Sequence, residues 1–314
     1  MYWYYKYPAY VVLVLALFGI GYLIYSQLPG GDAAPGDGVP SEVGTGPDGG
    51  DDPDAGKGPG PGNVVPWGRG TEPRAPVGAD VQRLLVAAET QLASDSLLAA
   101  RALAHKVLGM TGVQVYDPTW SRATAVVGKV NTVLVNSDAP APEKARYKVK
   151  SGDTLVDIAA AHHTTVEALQ RCNKRLDPTS STIFPGMVLN IYEGDWSILV
   201  SKANFRLVLM DGEDVFKVYQ VAIGRQDRTP PGVFRVKNKL REPAWTPPGK
   251  VIPYGDPENV LGTRWLGLQP IEDTDPTLIS YGIHGTWEPD SIGSAASEGC
   301  VRMLNDDVNE LFAI

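Results

Sequence analysis

Hydrophobic and polar positions follow three different patterns along the chain, and each predicts a different kind of element. Residues 9–25 form an uncharged apolar run, close to the ~20 residues that cross a bilayer as a helix. Between residues 80 and 135, apolar side chains recur with helical spacing. From residue 196 onward they alternate with polar ones in short segments, which predicts β-strands separated by turns. The helical pattern is carried by Val81, Leu84, Leu85, Ala88, Leu92, Ala100, Leu103, Ala104, Val107, Ala123, Val126, Val127, Val130 and Leu134.

The N-terminal apolar run predicts a transmembrane anchor over residues 8–26. Aromatic residues crowd the segment before it, as in an interfacial belt, and Lys6 is the one charged side chain of residues 1–7. The first charges after the run are acidic, so the weak Lys bias lies before the run and places residues 1–7 in the cytoplasm. A cleaved signal peptide is the alternative, although the run is long for one and no small-x-small site follows directly. The expected location is the cell membrane, with one span and the C-terminal domains in the periplasm or cell wall.

Composition separates a linker from the folded segments. Residues 27–79 are dominated by Gly, Pro and Asp, which cannot bury enough apolar surface to fold, so a disordered linker is predicted. Residues 80–138 are predicted to be a small α-helical module, which we interpret as a spacer. The net charge of −8, without a block of Lys or Arg, argues against nucleic acid as a partner.

The chain has two cysteines, Cys172 and Cys300, which lie in different predicted modules. A disulfide would require those modules to be docked in one geometry, so we expect two free thiols with unrelated roles. Cys172 is interpreted as a buried structural thiol. His162 and His163 have no second ligand pair at a useful spacing, so neither a metal site nor a cofactor is predicted.

Residues 146–193 predict the order strand, helix, helix, strand. A short alternating strand runs into Ser-Gly-Asp-Thr, where Asp153 or Thr154 can cap the first helix. The second helix is predicted over Thr165–Cys172, and Phe-Pro-Gly-Met at residues 184–187 turns into the last strand.

This segment resembles the LysM domain, whose hallmarks are Y-x-V-x-x-G-D-T-L, a later Asn, and L/I-x-P-G-x-x-L-x-I. The matching residues are Tyr147, Val149, Gly152, Asp153, Thr154, Leu155, Asn173, Ile183, Pro185, Gly186, Leu189 and Ile191. The resemblance implies binding to glycan that contains N-acetylglucosamine, usually peptidoglycan. It places the sugar between the first strand–helix turn and the second helix–strand loop. The implied glycan-binding residues are Gly152, Asp153, Thr154, Ile183, Pro185 and Gly186.

The polar residues suited to chemistry are concentrated near the C-terminus. His284 ends an apolar segment, Leu278–His284, that is predicted to be a strand, and Cys300 lies in Ser-Glu-Gly-Cys-Val-Arg-Met. A thiol needs a neighbouring base or positive field to become a nucleophile, which His284 and Arg302 could supply. Gly299 permits close backbone approach, so the amides of Gly299 and Cys300 could form an oxyanion hole. Taken alone, either residue of the Cys–His pair could instead belong to the core.

The wider pattern over residues 196–314 resembles the L,D-transpeptidase (YkuD) catalytic domain. Its hallmarks are H-G-[TS], a spacer, and [ST]-x-G-C-[VI]-R-[ML]. They stand here on His284, Gly285, Thr286, Ser297, Gly299, Cys300, Val301, Arg302 and Met303. Residues 221–224, 229–234 and 259–266 match further sequence motifs of the family.

That resemblance implies a mainly-β, sandwich-like domain and a cysteine acyl transfer on peptidoglycan stems. Cys300 attacks the L-centre carbonyl of the third residue of a tetrapeptide stem and expels D-Ala. His284 takes the thiol proton and is oriented by a backbone carbonyl near Gly285. Transfer to an amine of another stem gives a 3→3 cross-link, whereas transfer to water makes the enzyme an L,D-carboxypeptidase. The residues implied to shape the site or its oxyanion hole are Gly285, Thr286, Ser297, Gly299 and Arg302, with Arg302 contacting either a substrate carboxylate or a structural ion-pair partner.

Two positions depart from the family pattern. Glu298 stands where many relatives carry His, and an inward carboxylate would raise the pKa of the thiol. We therefore expect Glu298 to face solvent or the acceptor amine. Relatives continue past Ile314 into one more strand, so the catalytic domain is expected to be truncated, with an open edge.

Two alternative functions remain at this stage. A non-catalytic protein could use the anchor, linker and LysM segment to tie the envelope to peptidoglycan. A serine hydrolase using Ser297 would require a nucleophile elbow, but the first Gly of that motif and its βα pattern are missing. The motifs S-x-x-K and H-E-x-x-H are absent from the sequence.

Overall fold

The computed structural model describes residues 10–12 and 77–314. The predicted cytoplasmic segment 1–7, and the linker 27–79 up to residue 76, lie outside the described residues. Of the predicted anchor, only Tyr10–Val12 is described, and it forms a strand, β1. Within the described ranges, no helix is both long enough and apolar enough to cross a membrane. The rest of the predicted anchor, residues 8–9 and 13–26, lies outside the described residues.

The segment with helical spacing of apolar residues forms three helices, as predicted. They are α1 (Ala79–Ala93), α2 (Leu97–Leu108) and α3 (Pro118–Val135). Helix α3 begins sharply because Pro118 occupies its first turn and the Asp117 carboxylate accepts the Trp120 amide at 2.6 Å.

The helical module packs on the catalytic domain and does not stand apart as a spacer would. Asn131 of α3 donates from Nδ2 to the Phe216 carbonyl at 2.9 Å. Gly128 of the same helix lies against Lys217, with 3.0 Å between a Cβ at residue 128 and the lysine side chain. The close approach of α3 therefore depends on a small residue at position 128.

The second module has the predicted order of strand, helix, helix and strand. Its elements are β2 (Lys144–Lys148), α4 (Leu155–Ala161), α5 (Val166–Cys172) and β3 (Val188–Tyr192). Strands β2 and β3 pair antiparallel, with Tyr147 opposite Leu189. Both helices have side-chain caps: Thr154 Oγ1 accepts the Asp157 amide and Thr165 Oγ1 accepts the Ala168 amide. Cys172 is buried and free.

The C-terminal domain is built on one mixed sheet. Its elements are β4 (Trp196–Ser201), β5 (Arg206–Asp211), β6 (Asp214–Gln220), β7 (Ile223–Gly224), β8 (Val233–Arg241), β9 (Arg264–Ile271), β10 (Gly282–His284), β11 (Ala295–Ser297), β12 (Val301–Arg302) and helix α6 (Asn305–Ala313). The order in the main sheet is β12-β10-β9-β8-β1-β4-β5-β6, and β7 pairs with β11 in a small parallel sheet. Strand β1 runs parallel to β4 and antiparallel to β8. Pairing is therefore continuous through eight strands, which confirms a mainly-β domain.

One predicted strand is much shorter than expected. The apolar segment Leu278–His284 pairs only from Gly282 onward, because Ser280 adopts a left-handed conformation with φ +67°. The Ser280 carbonyl is thereby turned toward the candidate nucleophile, Cys300, whose Sγ lies 3.9 Å away. This break in the strand belongs to the site.

The second module docks on the C-terminal helix of the catalytic domain. Thr165 Oγ1 donates to the Ala313 carbonyl at 2.5 Å, and Glu167 forms an ion pair with Arg241 of β8. Lys239 of β8 donates to the Ile314 carbonyl at 2.9 Å. The two modules are thus joined through α6 and β8.

Candidate active site

Strand register brings the predicted nucleophile and base together. Strands β10 and β12 are parallel neighbours, with Ile283 opposite Val301 and His284 opposite Arg302. Cys300 immediately precedes β12, and the amide of Gly282 at the start of β10 hydrogen-bonds to its thiol. The thiol and imidazole therefore come from adjacent strands of one sheet.

The loop that carries Cys300 is held by two buried hydroxyl groups. Ser297 Oγ donates to the Cys300 carbonyl at 2.6 Å and accepts the Gly299 amide at 3.1 Å. Thr229 Oγ1 donates to the Gly299 carbonyl at 2.8 Å and accepts the Gly224 amide at 2.7 Å. Since the Gly299 amide is already engaged by Ser297, it is not free to act in the predicted oxyanion hole.

Gly299 also meets a steric demand of this loop. Its φ is +142°, and a Cβ there would lie 2.8 Å from the Tyr281 ring and 3.0 Å from the Arg228 carbonyl. Only glycine fits this backbone without displacing its neighbours.

His284 is a buried, neutral base. The residue is 3% exposed, and its Nδ1 lies 2.6 Å from the Gly285 carbonyl. Because a carbonyl only accepts, the ring proton is on Nδ1 and Nε2 keeps a lone pair. The pKa of His284 is lowered to about 4: burial is the largest cause and the positive charge of Arg302 acts in the same direction, against the backbone hydrogen bonds to Gly285 and Leu261, which raise the pKa.

Cys300 is a partly exposed thiol that is protonated at rest. Burial raises its pKa, while the Gly282 amide and Arg302 act in the opposite direction. At rest the adjacent strands therefore carry a protonated thiol and a neutral imidazole, so a proton must leave the thiol when it attacks.

Arg302 forms an ion pair with Glu288 of the same domain. Its Nη1 donates to Glu288 Oε2 at 2.8 Å, and its side chain is only 12% exposed. Thr286 fixes the segment before Glu288 by accepting the Glu288 amide at 3.0 Å. Asn305 of α6 donates to the Thr286 carbonyl at 2.8 Å and accepts the Thr263 amide. The residues after His284 are thus tied to both β12 and α6.

Glu298 points outward but is not free. Its side chain is 63% exposed, and its carboxylate forms ion pairs with both Arg225 and Arg228. Two guanidinium groups compensate its charge, which resolves the conflict between an acidic residue and a neighbouring nucleophile.

A cavity of about 350 Å³ is lined by Ser280, whose carbonyl lies 3.9 Å from the Cys300 thiol. Its wall includes Trp265, whose indole stacks on the His284 imidazole with 5.9 Å between ring centroids and an interplanar angle of 25°. The other lining residues are Lys237, Asn238, Gly267, Leu268, Gln269, Pro270, Pro276, Ile279, Ser280 and Tyr281.

Comparison with known proteins identifies two families in the chain. Residues 195–314 match the sequence profile of the L,D-transpeptidase catalytic domain (YkuD), and residues 147–191 match that of the LysM domain. YkuD of Bacillus subtilis (strain 168), which carries an L,D-transpeptidase name, is 36% identical over 173 residues, or 54% of this chain and 92% of YkuD. The chain belongs to the L,D-transpeptidase family.

A second relative and a solved structure complete the comparison for this family member. YqjB of Bacillus subtilis (strain 168), also named as an L,D-transpeptidase, is 40% identical over 124 residues, or 39% of this chain and 68% of YqjB. The catalytic domain of the E. faecium L,D-transpeptidase acylated by ertapenem is 22% identical. The match covers 38% of this chain and 90% of the E. faecium domain, with a TM-score of 0.30. Membership of the family makes the chain an enzyme of peptidoglycan metabolism.

The LysM domain brings its two predicted glycan-binding loops side by side. The Gly186 amide donates to the Val149 carbonyl at 2.8 Å, which places the loop containing Ile183 and Pro185 beside the Gly152 turn. In that turn Asp153 accepts the Lys150 amide at 2.7 Å and the Tyr147 hydroxyl at 2.8 Å. These hydrogen bonds, that of Lys150 first, lower the pKa of the Asp153 carboxyl.

Several residues that build the active site of this L,D-transpeptidase family member were not singled out from the sequence. Thr229, Trp265 and Asn305 lie far from Cys300 along the chain, and they reach the site only through strand pairing and helix packing. Thr229 and Trp265 lie in segments that match sequence motifs of the family, and this match was the one signal in the sequence that could have pointed to them.

Proposed function

We propose that this protein is a peptidoglycan L,D-transpeptidase that forms 3→3 cross-links through a Cys300 thioester. The observation that carries the proposal is the pairing of parallel strands β10 and β12, which carries a buried, neutral imidazole with Nδ1 fixed on the Gly285 carbonyl and, just before β12, a partly exposed thiol. This arrangement suits general-base activation of a nucleophile.

In the acylation step, Sγ attacks the carbonyl of the third residue of a tetrapeptide stem while Nε2 of His284 accepts the thiol proton. A C–S bond forms, and the C–N bond to the terminal D-Ala breaks. His284 returns the proton to the leaving amine. The positive charge formed on His284 is transient, because burial and Arg302 both favour the neutral ring.

In the transfer step, a side-chain amine of a second stem attacks the thioester. The C–N bond forms, the C–S bond breaks, and His284 carries the amine proton to the departing thiolate. The Cys300 amide is the donor we assign to the oxyanion of both steps, since the Gly299 amide is held by Ser297.

The LysM domain is proposed to hold the glycan strand during this reaction. Phe184 lies in the second predicted loop with 63% of its surface exposed, and an exposed ring is suited to stacking on a sugar. Docking through Thr165 and Ala313 would keep the bound glycan on the same rigid body as Cys300.

We propose further that the protein works outside the cytoplasm and is attached to the membrane by residues 8–26. A membrane helix there and the strand β1 are mutually exclusive uses of Tyr10–Val12. Carbonate extraction of membranes from cells that produce the full chain distinguishes them. Retention in the pellet supports the anchor, whereas full release contradicts it.

The catalytic proposal is tested by incubating the full chain with a carbapenem and, separately, with a tetrapeptide stem and an amine acceptor. A mass increase on intact protein that is lost in Cys300→Ala, together with a cross-linked product, is expected. Release of D-Ala without cross-linked product would instead indicate an L,D-carboxypeptidase. No adduct on folded protein would favour a non-catalytic peptidoglycan anchor.

A further inference from the structure

Trp265 lines the cavity next to Ser280, and its indole also stacks on the proposed catalytic base, His284. In the antiparallel pair β9–β10, His284 lies directly opposite Trp265, and Gly282 lies opposite Gly267. Directly opposite side chains in such a pair lie on the same face of the sheet, close enough for their rings to touch. The stacked geometry of indole and imidazole is therefore a product of strand register.

Two glycines make room for the indole. A Cβ at Gly282 would lie 2.5 Å from the far edge of the Trp265 ring, and one at Gly267 would lie 2.8 Å from its Nε1. Such distances are far below van der Waals contact, so a side chain at Gly282 would displace the ring, and one at Gly267 would collide first with Asn238 Oδ1 at 2.0 Å and then with the indole. The sheet thus provides space for the indole over Gly282, two residues from the base.

The imidazole is restrained on more than one side. Its Nδ1 is fixed by the Gly285 carbonyl, and the Trp265 ring lies nearly parallel to it at stacking distance. A hydrogen bond along one ring edge still allows the ring to tilt about that bond, and a parallel aromatic neighbour opposes this tilt. The charged groups around the base are Arg302, with its partner Glu288, and Lys237 in the cavity wall.

We infer that Trp265 is a positioning residue: its indole sets the plane of the His284 imidazole and closes that face to water. The same ring forms part of the cavity beside Ser280, so it links the surface next to the thiol with the orientation of the base. This inference rests on the proposed function for its kinetic consequence, but the ring contact can be measured without catalysis.

The test compares three variants of the full chain. Trp265→Phe keeps an aromatic face, Trp265→Leu removes it, and Gly282→Ala keeps the tryptophan but pushes it away. Trp287→Leu is the matched control, because this indole pairs with Tyr254 instead of His284. The first readout is the NMR titration of the ring protons of the four histidines, with His284 assigned by His284→Gln. The second is kcat and KM for acylation across pH.

We expect Trp265→Leu and Gly282→Ala to raise the titration midpoint of His284 toward 6.5 and to move the acid limb of the rate with it. In both, kcat should fall by about 10- to 100-fold, the cost of a misplaced catalytic group. Trp265→Phe should restore both readouts to near the wild-type values, and Trp287→Leu should leave the His284 titration unchanged.

A rise in KM alone, with the His284 titration and the acid limb unchanged in Trp265→Leu and Gly282→Ala, would overturn the inference and leave Trp265 as a cavity wall. If Trp265→Leu does not fold, the His284 titration in Gly282→Ala decides, because this variant retains every side chain of the core, whereas its kcat also reflects the Gly282 amide at the Cys300 thiol. If the wild-type protein forms no acyl-enzyme, the proposed function fails, while the histidine titration still tests the contact.

Discussion

The candidate active site and the proposed glycan-binding loops of the LysM domain are built in opposite ways. His284 is almost fully buried, and the loop that carries Cys300 is fastened by Thr229, 71 residues away along the chain from the cysteine. The LysM turn is exposed, and Asp153 is held by Tyr147 and Lys150, which are close neighbours in sequence.

The electrostatics of the two sites differ in the same way. At the active site, burial is the largest cause of the shifted pKa values of His284 and Cys300. In the LysM turn, hydrogen bonds to the ionised form lower the pKa of Asp153 without burial. The proposed chemistry depends on excluding water through distant contacts, whereas the proposed glycan binding depends on local turn geometry. Cys300 acylation should therefore respond strongly to changes at the first site and not at the second.

The largest effect is expected from His284→Gln. Loss of the base should lower kcat/KM for acylation by about 10²–10⁴-fold, the usual contribution of general-base catalysis. Because the pKa of His284 is lowered to about 4, the wild-type rate should stay constant as pH falls through 6.5 and decline only near pH 4. Stopped-flow acylation by a carbapenem between pH 3.5 and 8 measures both. An acid limb centred at pH 6.5 would contradict the buried, neutral base.

The next largest effect is expected from Thr229→Val. The valine side chain cannot hydrogen-bond, so the buried Gly224 amide and Gly299 carbonyl would each lose a partner. Each unsatisfied group should lower the free energy of unfolding by about 1–3 kcal/mol. We expect a lower melting temperature and slower acylation. Thr229→Ser, which keeps the hydroxyl, should behave nearly as the wild type. Equal behaviour of the valine and serine variants would show that the hydroxyl bridge does not hold the loop.

The same contrast explains which features could be predicted from the sequence. The LysM turn was predictable in detail, because capping by Thr154 and the turn at Gly152 are local properties of Ser-Gly-Asp-Thr. Cys300 and His284 were recognised as a motif, but their environment depends on the pairing of β9, β10 and β12. The early end of the strand at Ser280 could not be predicted, since apolar periodicity does not report a left-handed residue.

A small effect is expected from Glu298→Gln. The side chain is exposed, and exposed ion pairs contribute only about 0–1 kcal/mol. Removing the carboxylate leaves the charges of Arg225 and Arg228 uncompensated near the thiol, which favours the thiolate. The alkylation rate of Cys300 by iodoacetamide at pH 7 should therefore rise, by no more than about threefold. A fall in that rate would show that Glu298 supports the nucleophile in a way that its outward position does not explain.

The smallest effect on acylation is expected from Asp153→Ala in the LysM domain. The substitution removes the acceptor of the Lys150 amide and the Tyr147 hydroxyl, so the turn at Gly152 should loosen and sedimentation with insoluble peptidoglycan should decrease. Asp153→Asn keeps one acceptor oxygen and should bind better than the alanine variant. Carbapenem acylation of Cys300 should stay within about twofold of the wild type in both, because distant sites act independently. If Asp153→Ala slowed acylation as much as Thr229→Val does, the two sites would be coupled through the docking of Thr165 on Ala313, and the contrast between local and distant construction would no longer separate binding from chemistry.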